Sequence, residues 1–168
     1  MSVQDLMTRS VQSCRPDDTL DRAAQLMWEN DCGSIPVCVT DGMTRTVGVI
    51  TDRDICMGAH IQGRALHEIK VSEIIKDQKL QVCKTTDSVQ EAESTMRQNR
   101  IRRLPVVDAQ GALAGMLSLA DLARAAGRGA KGGNAPVSDR EVISALVAIC
   151  SPPSSSLPAC GEPPLAWC

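Results

Sequence analysis

The sequence predicts a mixed α/β (α+β) fold built from two β-α-β-β-α repeats and a C-terminal helix. Three observations lead to this prediction: an internal repeat, a helical spacing of apolar residues in each half, and paired apolar segments around a glycine-containing turn. A half of about 60 residues buries little apolar surface alone. We therefore expect the two halves to pack about a pseudo-twofold axis, with a cleft between them.

The repeat is visible as direct self-similarity, since residues 12–37 match residues 81–106 at a constant offset of 69 positions. Between the identical positions the residue types also agree. The identical pairs are Gln12/Gln81, Cys14/Cys83, Asp18/Asp87, Ala23/Ala92, Met27/Met96, Asn30/Asn99, Pro36/Pro105 and Val37/Val106.

Each repeat is predicted to begin with a short strand, at residues 11–14 and 80–83. Asp18 and Asp87 are expected to cap the helix that follows, because a carboxylate accepts hydrogen bonds from the free N–H groups of a first turn. Apolar residues at helical spacing then support that helix. They are Leu20, Ala23, Ala24 and Met27 in the first half, and Val89, Ala92 and Met96 in the second.

Two further strands in each half are predicted to form a hairpin, because Asp41-Gly42 and Gln110-Gly111 provide turns between apolar segments. Thr51 and Ser118 directly follow the second of these strands and are expected to open another helix. The paired segments are residues 35–39 with 47–50, and residues 104–107 with 114–117.

The chain is predicted to divide into two repeats and a C-terminal region. Ser138 is expected to cap the last helix, and proline and serine disfavour regular structure beyond it, so that we expect a disordered tail. The predicted parts are residues 1–66, residues 67–126, a Gly/Ala-rich linker at 127–137, a helix at 138–150 and the tail at 151–168.

Composition excludes several classes of function. A formal net charge of −2 and an aromatic content of 1% give little to hold polyphosphate chains or stack on bases, so we expect no nucleic-acid partner. Asp5 and Arg9 interrupt any apolar leader, and no apolar run reaches the roughly 20 residues needed to span a bilayer. We therefore expect a cytoplasmic protein with no membrane contact.

No catalytic or metal site is predicted. The eight cysteines include no Cys-x-x-Cys pair, and neither histidine lies at zinc-ligand spacing from two of them. Outside the repeats there is no nucleophile–base pair and no glycine-rich phosphate loop. We expect reduced thiols, no cofactor and no enzymatic activity.

A Pro-Val strand, a glycine-led strand and a Thr-x-x-Asp or Ser-x-x-Asp helix start recur in the same order in both halves. On these motifs each half resembles a CBS domain, and the pair resembles a Bateman module over roughly residues 1–126. The resemblance implies a non-catalytic regulatory module that binds AMP, ADP, ATP or S-adenosylmethionine between its two domains.

The resemblance also implies roles for individual residues. Asp54 and Asp121 would bind the ribose, since a carboxylate can accept hydrogen bonds from both hydroxyls of a diol. Thr51 and Ser118, at helix N-termini, and Arg102, three residues before a proline, would bind phosphate. The predicted apolar base pocket comprises Val11, Cys14, Ile35 and Pro36 in one half, and Leu80, Cys83, Leu104 and Pro105 in the other.

Other interpretations stay open beside these. The Thr/Ser-x-x-Asp motif is also a capping signal, and the basic run at residues 97–103 is typical of a solvated helix end. Each half would contribute one cleft, and Gly33 occupies the position in the first half that is equivalent to Arg102. The two clefts are therefore chemically unequal. The alternative function is a ligand-free dimerisation scaffold that contacts an unknown protein partner through residues 138–168.

A homodimer is expected as well. The family commonly pairs modules through helix faces, and the first predicted helix carries an apolar face that one module does not fully cover. The residues of that face are Leu20, Ala23, Ala24, Met27 and Trp28.

Overall fold

A computed structural model of the chain describes residues 1–129 and 139–150. The predicted cap Ser138, the predicted tail 151–168 and the predicted linker beyond Gly129 lie outside the described residues. The helices are α1 (Leu20–Glu29), α2 (Asp52–Gln62), α3 (Val71–Ile75), α4 (Val89–Asn99), α5 (Leu119–Gly129) and α6 (Asp139–Cys150). The strands are β1 (Ser34–Thr40), β2 (Thr44–Thr51), β3 (Cys83–Lys84), β4 (Arg103–Val107) and β5 (Leu113–Ser118).

Both predicted hairpins are present, and they confirm the mixed fold with two repeats. β1 pairs with β2, and β4 with β5, in antiparallel register, with a β-bulge directly after Val37 and after its equivalent Val106. Gly42 and Gly111 have φ values of +89° and +84° in the two turns, a backbone region that glycine enters without a steric penalty. The repeat in sequence is therefore a repeat in structure, down to the irregularities of the strands.

The first strand of each half is shorter than predicted. In the first half only Cys14 forms a bridge, parallel to Val37, and in the second half the strand is the two-residue β3, parallel to β4. The parallel ladder would next need an N–H from Pro36 or Pro105, and proline has none. Extension of the strand toward residues 11 and 80 is thus blocked at the same place in both repeats.

The predicted helix caps Asp18 and Asp87 are wrong by one residue. Thr19 and Ser88 are the N-caps of α1 and α4, and their hydroxyls accept from backbone N–H groups in the first turn at 3.3 and 3.2 Å. Asp18 Oδ2 instead accepts from the N–H of Arg15 at 2.7 Å, and Asp87 has the same role in the second half. Each aspartate thus closes the turn that leads into the helix.

The two halves exchange their leading segments. Val3 and Met7 from the start of the chain lie in the hydrophobic core of the second half. Val71 and Ile75, from α3 at the start of the second half, lie in the core of the first. Each core therefore contains residues of both repeats, and this exchange joins the two halves.

Strands β2 and β5 face each other between the halves, and α6 covers one outer side of the second half. Val142, Ala145 and Ile149 of α6 are buried in the second core, where the helix packs on α4 and α5.

Among the helices within residues 1–129 and 139–150, none has both the length and the apolar content that a membrane span requires.

Candidate functional site

The Thr-x-x-Asp and Ser-x-x-Asp motifs form capping boxes at the starts of α2 and α5. The N–H and Oγ1–H of Thr51 donate to Asp54 Oδ2 at 2.9 and 2.7 Å, and the N–H of Asp54 donates to Thr51 Oγ1 at 3.1 Å. Ser118 and Asp121 repeat this pattern at 2.7, 2.6 and 3.2 Å. The capping interpretation of the motif therefore holds in both halves.

Each capping box uses only Oδ2 of its aspartate, so a ribose would have to bind to the second oxygen, Oδ1. The surroundings of Oδ1 differ between the two aspartates. Asp121 is 6% exposed, and its second oxygen, Oδ1, accepts from the guanidinium of Arg124. Asp54 is half-buried, and its Oδ1 is outside the box. A ribose role for either residue stays a prediction, and it would require Oδ1.

A cavity of about 660 Å³ lies between the two halves, a size typical of small-molecule sites. Residues of both halves and of α6 line it together. They are Ser34, Val49, Thr51, Asp52 and Arg53, then residues 78–81, then residues 99–103, and finally Ile149.

The charge of this cavity is strongly positive. Among the described residues that line it, five are cationic and one, Asp52, is a carboxylate. Nη2 of Arg103 and the carboxylate of Asp52 both lie beside Gly33. Positive groups gathered in one concave site attract anions and form charge-assisted hydrogen bonds with phosphate. The cationic residues are Arg53, Lys79, Arg100, Arg102 and Arg103.

Ser34 adds a buried hydroxyl to the same cavity. It is 7% exposed, and its Oγ has no hydrogen-bond partner within the part of the chain that the structure describes. A buried hydroxyl without a partner costs about 1–3 kcal/mol, and a ligand that bonded to it would remove that cost. Ser34 is equivalent to Arg103 in the repeat, so both copies of this position line the cavity.

The structure brings together three of the sequence-predicted site residues, Thr51, Leu80 and Arg102, at the cavity. Ser118, Asp54, Asp121 and the half-buried Val11 are not among the described residues that line it. The remaining base-pocket residues are buried beside or within the two cores, and their role in binding stays a prediction. They are Cys14, Ile35, Pro36, Cys83, Leu104 and Pro105.

Sequence reasoning missed much of the positive charge. The run from 97 to 103 looked like a solvated helix end, yet only part of it is. Arg97 pairs with Glu93 on α4 at 3.8 Å, whereas Arg100 ends that helix with φ of +55°. The turn at Arg100 directs the following residues, Arg102 and Arg103, to the cavity.

The cysteines at equivalent positions 14 and 83 are free, buried thiols. Burial, followed by the nearby Asp18 and Cys38, raises the pKa of Cys14 to about 12. Burial and then Asp87 raise the pKa of Cys83 to about 12. Both thiols stay protonated at neutral pH and are poor nucleophiles. Among the described residues, no three His, Cys, Asp or Glu side chains cluster in a way that could hold a metal ion.

A second cavity, of about 420 Å³, lies on the outer side of α1. Its lining includes Ala24 and Trp28, and the Trp28 side chain is 89% exposed. Only part of the predicted apolar face of α1 is left for a partner to cover, because Leu20 and Ala23 are fully buried in the first core. The outer side of the first half is thus open where α6 covers the second half.

Comparison with known proteins identifies relatives of the whole fold. A CBS domain-containing protein of Bacillus subtilis is 40% identical over 122 residues, which is 73% of this chain and 83% of that protein. Hypoxic response protein 1 of Mycobacterium tuberculosis is 30% identical over 151 residues, 90% of this chain and 95% of the relative. The solved structure of a CBS domain protein from Pyrobaculum aerophilum complexed with AMP has a TM-score of 0.65 at 28% identity, over 73% of this chain and 90% of that one.

The CBS domain family model matches the chain twice, at residues 3–59 and 71–128. These two segments correspond to the two repeats, each with its hairpin and its capping-box helix. The resemblance inferred from the motifs is confirmed, and the chain belongs to the CBS domain family.

Proposed function

We propose that this protein is a regulatory module that binds an anionic adenine nucleotide, AMP, ADP or ATP, in the cavity between its two halves. The observation that carries the proposal is the cavity itself, which combines five cationic side chains with the Ser34 hydroxyl, a group that has no hydrogen-bond partner among the described residues. The AMP complex of the P. aerophilum protein supports the class of ligand. We propose no catalytic step and no cofactor.

Charge favours nucleotides over S-adenosylmethionine as the ligand. A sulfonium beside Arg102 and Arg103 would meet like charge, whereas each phosphate can accept charge-assisted hydrogen bonds that contribute about 1.5–3 kcal/mol apiece. Asp52 and Asp54 already lie in the first turn of α2, so the N-terminus of that helix offers phosphate little. The arginines of the second half are therefore the proposed phosphate contacts, and Thr51 is a proposed neighbour of the sugar.

Calorimetric titration of purified, nucleotide-free protein tests this proposal. We expect affinity to rise in the order S-adenosylmethionine, AMP, ADP, ATP, because each phosphate adds negative charge inside a positive cavity. Ser34→Ala tests whether the ligand occupies this cavity. It should weaken binding and leave the melting temperature unchanged or higher, since it removes a buried hydroxyl that has no partner among the described residues.

Two results would contradict the proposal. Tighter binding of S-adenosylmethionine than of ATP would show that charge does not select the ligand. No heat with any of the four, from protein shown to be folded, would favour the alternative function, a CBS-pair scaffold that acts without a ligand.

We further propose that the protein forms a homodimer through the outer side of α1. A tryptophan that is 89% exposed beside a concave apolar patch is typical of an interface. Trp28→Glu should raise the dimer dissociation constant at least tenfold in analytical ultracentrifugation, since a buried aromatic anchor often contributes about 2 kcal/mol or more. The control is Val147→Glu on the outer side of α6, which should leave the dimer dissociation constant unchanged. A parent protein that is monomeric at high concentration would refute the dimer.

A further inference from the structure

The C-terminal helix α6 lies outside both segments that match the family, yet it is integrated into the fold. Val142, Ala145 and Ile149 are 6%, 0% and 9% exposed in the second core. The helix packs against both α4 and α5. α6 is therefore docked by ordinary core packing along its length.

The last turn of α6 also reaches the cavity between the halves. Ile149 belongs to the second core and lines the cavity. The adjacent Cys150 accepts a weak contact from Arg102, with 3.9 Å between Nη2 and Sγ. One helix turn thus contacts the core on one side and a proposed phosphate-binding arginine on the other.

We propose that the last turn of α6 is a wall of the nucleotide site, so that ligand binding and the docking of α6 stabilise each other. This inference rests on the proposed function of the cavity. Ile149 supplies apolar surface that a bound nucleotide would contact only while α6 is docked. Because linkage is reciprocal, whatever affinity the docked helix adds to the nucleotide, the nucleotide adds to the docking of the helix.

A matched pair of substitutions in α6 distinguishes a direct contribution to the nucleotide site from a contribution to core packing alone. Ile149→Ala and Val142→Ala both remove apolar atoms of α6 from the same core. Ile149 is among the described residues that line the cavity, whereas Val142 is not. In calorimetric titration with ATP we expect Ile149→Ala to bind about tenfold more weakly, because contact with several methyl and methylene groups is lost. Val142→Ala should bind within about twofold of the parent protein.

Hydrogen exchange of the unmodified protein provides a second measurement that does not depend on any variant folding. ATP should slow exchange of the amides of residues 145–150 relative to the nucleotide-free protein, because a bound nucleotide would hold Ile149 in its docked position.

The outcomes distinguish this inference from the proposed function. If the parent protein binds no nucleotide, both are overturned. If the parent binds ATP but Ile149→Ala binds equally well, or ATP leaves exchange in α6 unchanged, the proposed function stands and the role of α6 is refuted. Equal weakening by Ile149→Ala and Val142→Ala would likewise refute a wall, since α6 would then act only through the core.

Discussion

Replacing Arg102 and Arg103 together by alanine is expected to weaken ATP binding by about 100-fold or more. The two side chains line the cavity between the halves, and each charge-assisted hydrogen bond to phosphate contributes about 1.5–3 kcal/mol, with 1.4 kcal/mol per tenfold in affinity. AMP should lose less affinity than ATP, because it has fewer phosphate oxygens to place on the arginines. Calorimetric titration of both nucleotides measures the two losses.

The control for charge alone is the pair Arg22→Ala and Arg45→Ala. Arg22 contacts Gln25 on the surface of α1, and Arg45 pairs with Asp41 at the tip of the first hairpin. This double variant loses the same formal charge at two positions that are not among the residues lining the cavity, so it should retain ATP affinity within about threefold, given screening by salt. Equal losses in the two double variants would contradict a phosphate site at Arg102 and Arg103.

Gly115→Ala is expected to be the most destabilising conservative change in the second hairpin. A Cβ at this position would lie 2.4 Å from the backbone oxygen of Thr8, and backbone cannot move aside as a side-chain end can. Thr8 and Met116 exchange two backbone hydrogen bonds at 2.9 Å there, so the added methyl group separates the leading segment from β5. Such overpacking costs about 1–3 kcal/mol, measured as the free energy of unfolding in urea.

Gly127→Ala is the matched control for that change and has the opposite expected sign. Gly127 is in α5, and no atom of the described residues lies within 4 Å of a Cβ built there. Alanine there should be neutral or stabilise the protein by up to about 1 kcal/mol, from helix propensity. If Gly115→Ala were as stable as Gly127→Ala, the leading segment would not be held against β5.

The hairpins and the helices that follow them could be predicted because each depends on a local pattern. Apolar strands around Gly42 and Gly111, and hydroxyl residues at Thr51 and Ser118, specify structure within a few positions. The caps at Asp18 and Asp87 were misplaced because an aspartate and a hydroxyl residue stand side by side, and either can accept from a free N–H group. The choice depends on the preceding turn, which sequence spacing does not reveal.

The exchange of leading segments could not be predicted, for a different reason. The segments that contain Val3 and Val71 have the same apolar pattern because they are copies. Either could fill either core, so a repeated sequence leaves the assignment open. Only the path of the chain between the halves decides it.

The candidate site was predicted in part, through Thr51, Leu80 and Arg102. Arg103 was missed because the basic run from 97 to 103 is typical of a solvated helix end, and Ser34 because a single serine at the start of an apolar strand carries no signal for binding. Ile149 was missed because an apolar residue at helical spacing indicates a core position. Ile149 does lie in the core, but it also lines the cavity. These residues become a site only where two repeats and a helix meet, and no local window of sequence contains that junction.

The exchanged segments imply an order of events during synthesis. Val3 and Met7 leave the ribosome well before the core that receives them, because that core is formed by residues more than 75 positions later. The first core, by contrast, becomes complete once Ile75 has emerged. Contacts between distant parts of a chain form slowly, so we expect the residues around Val3 and Met7 to be among the last to dock. Until then they remain an unpaired apolar segment, and a chain cut between its two repeats would leave each fragment without part of its own core.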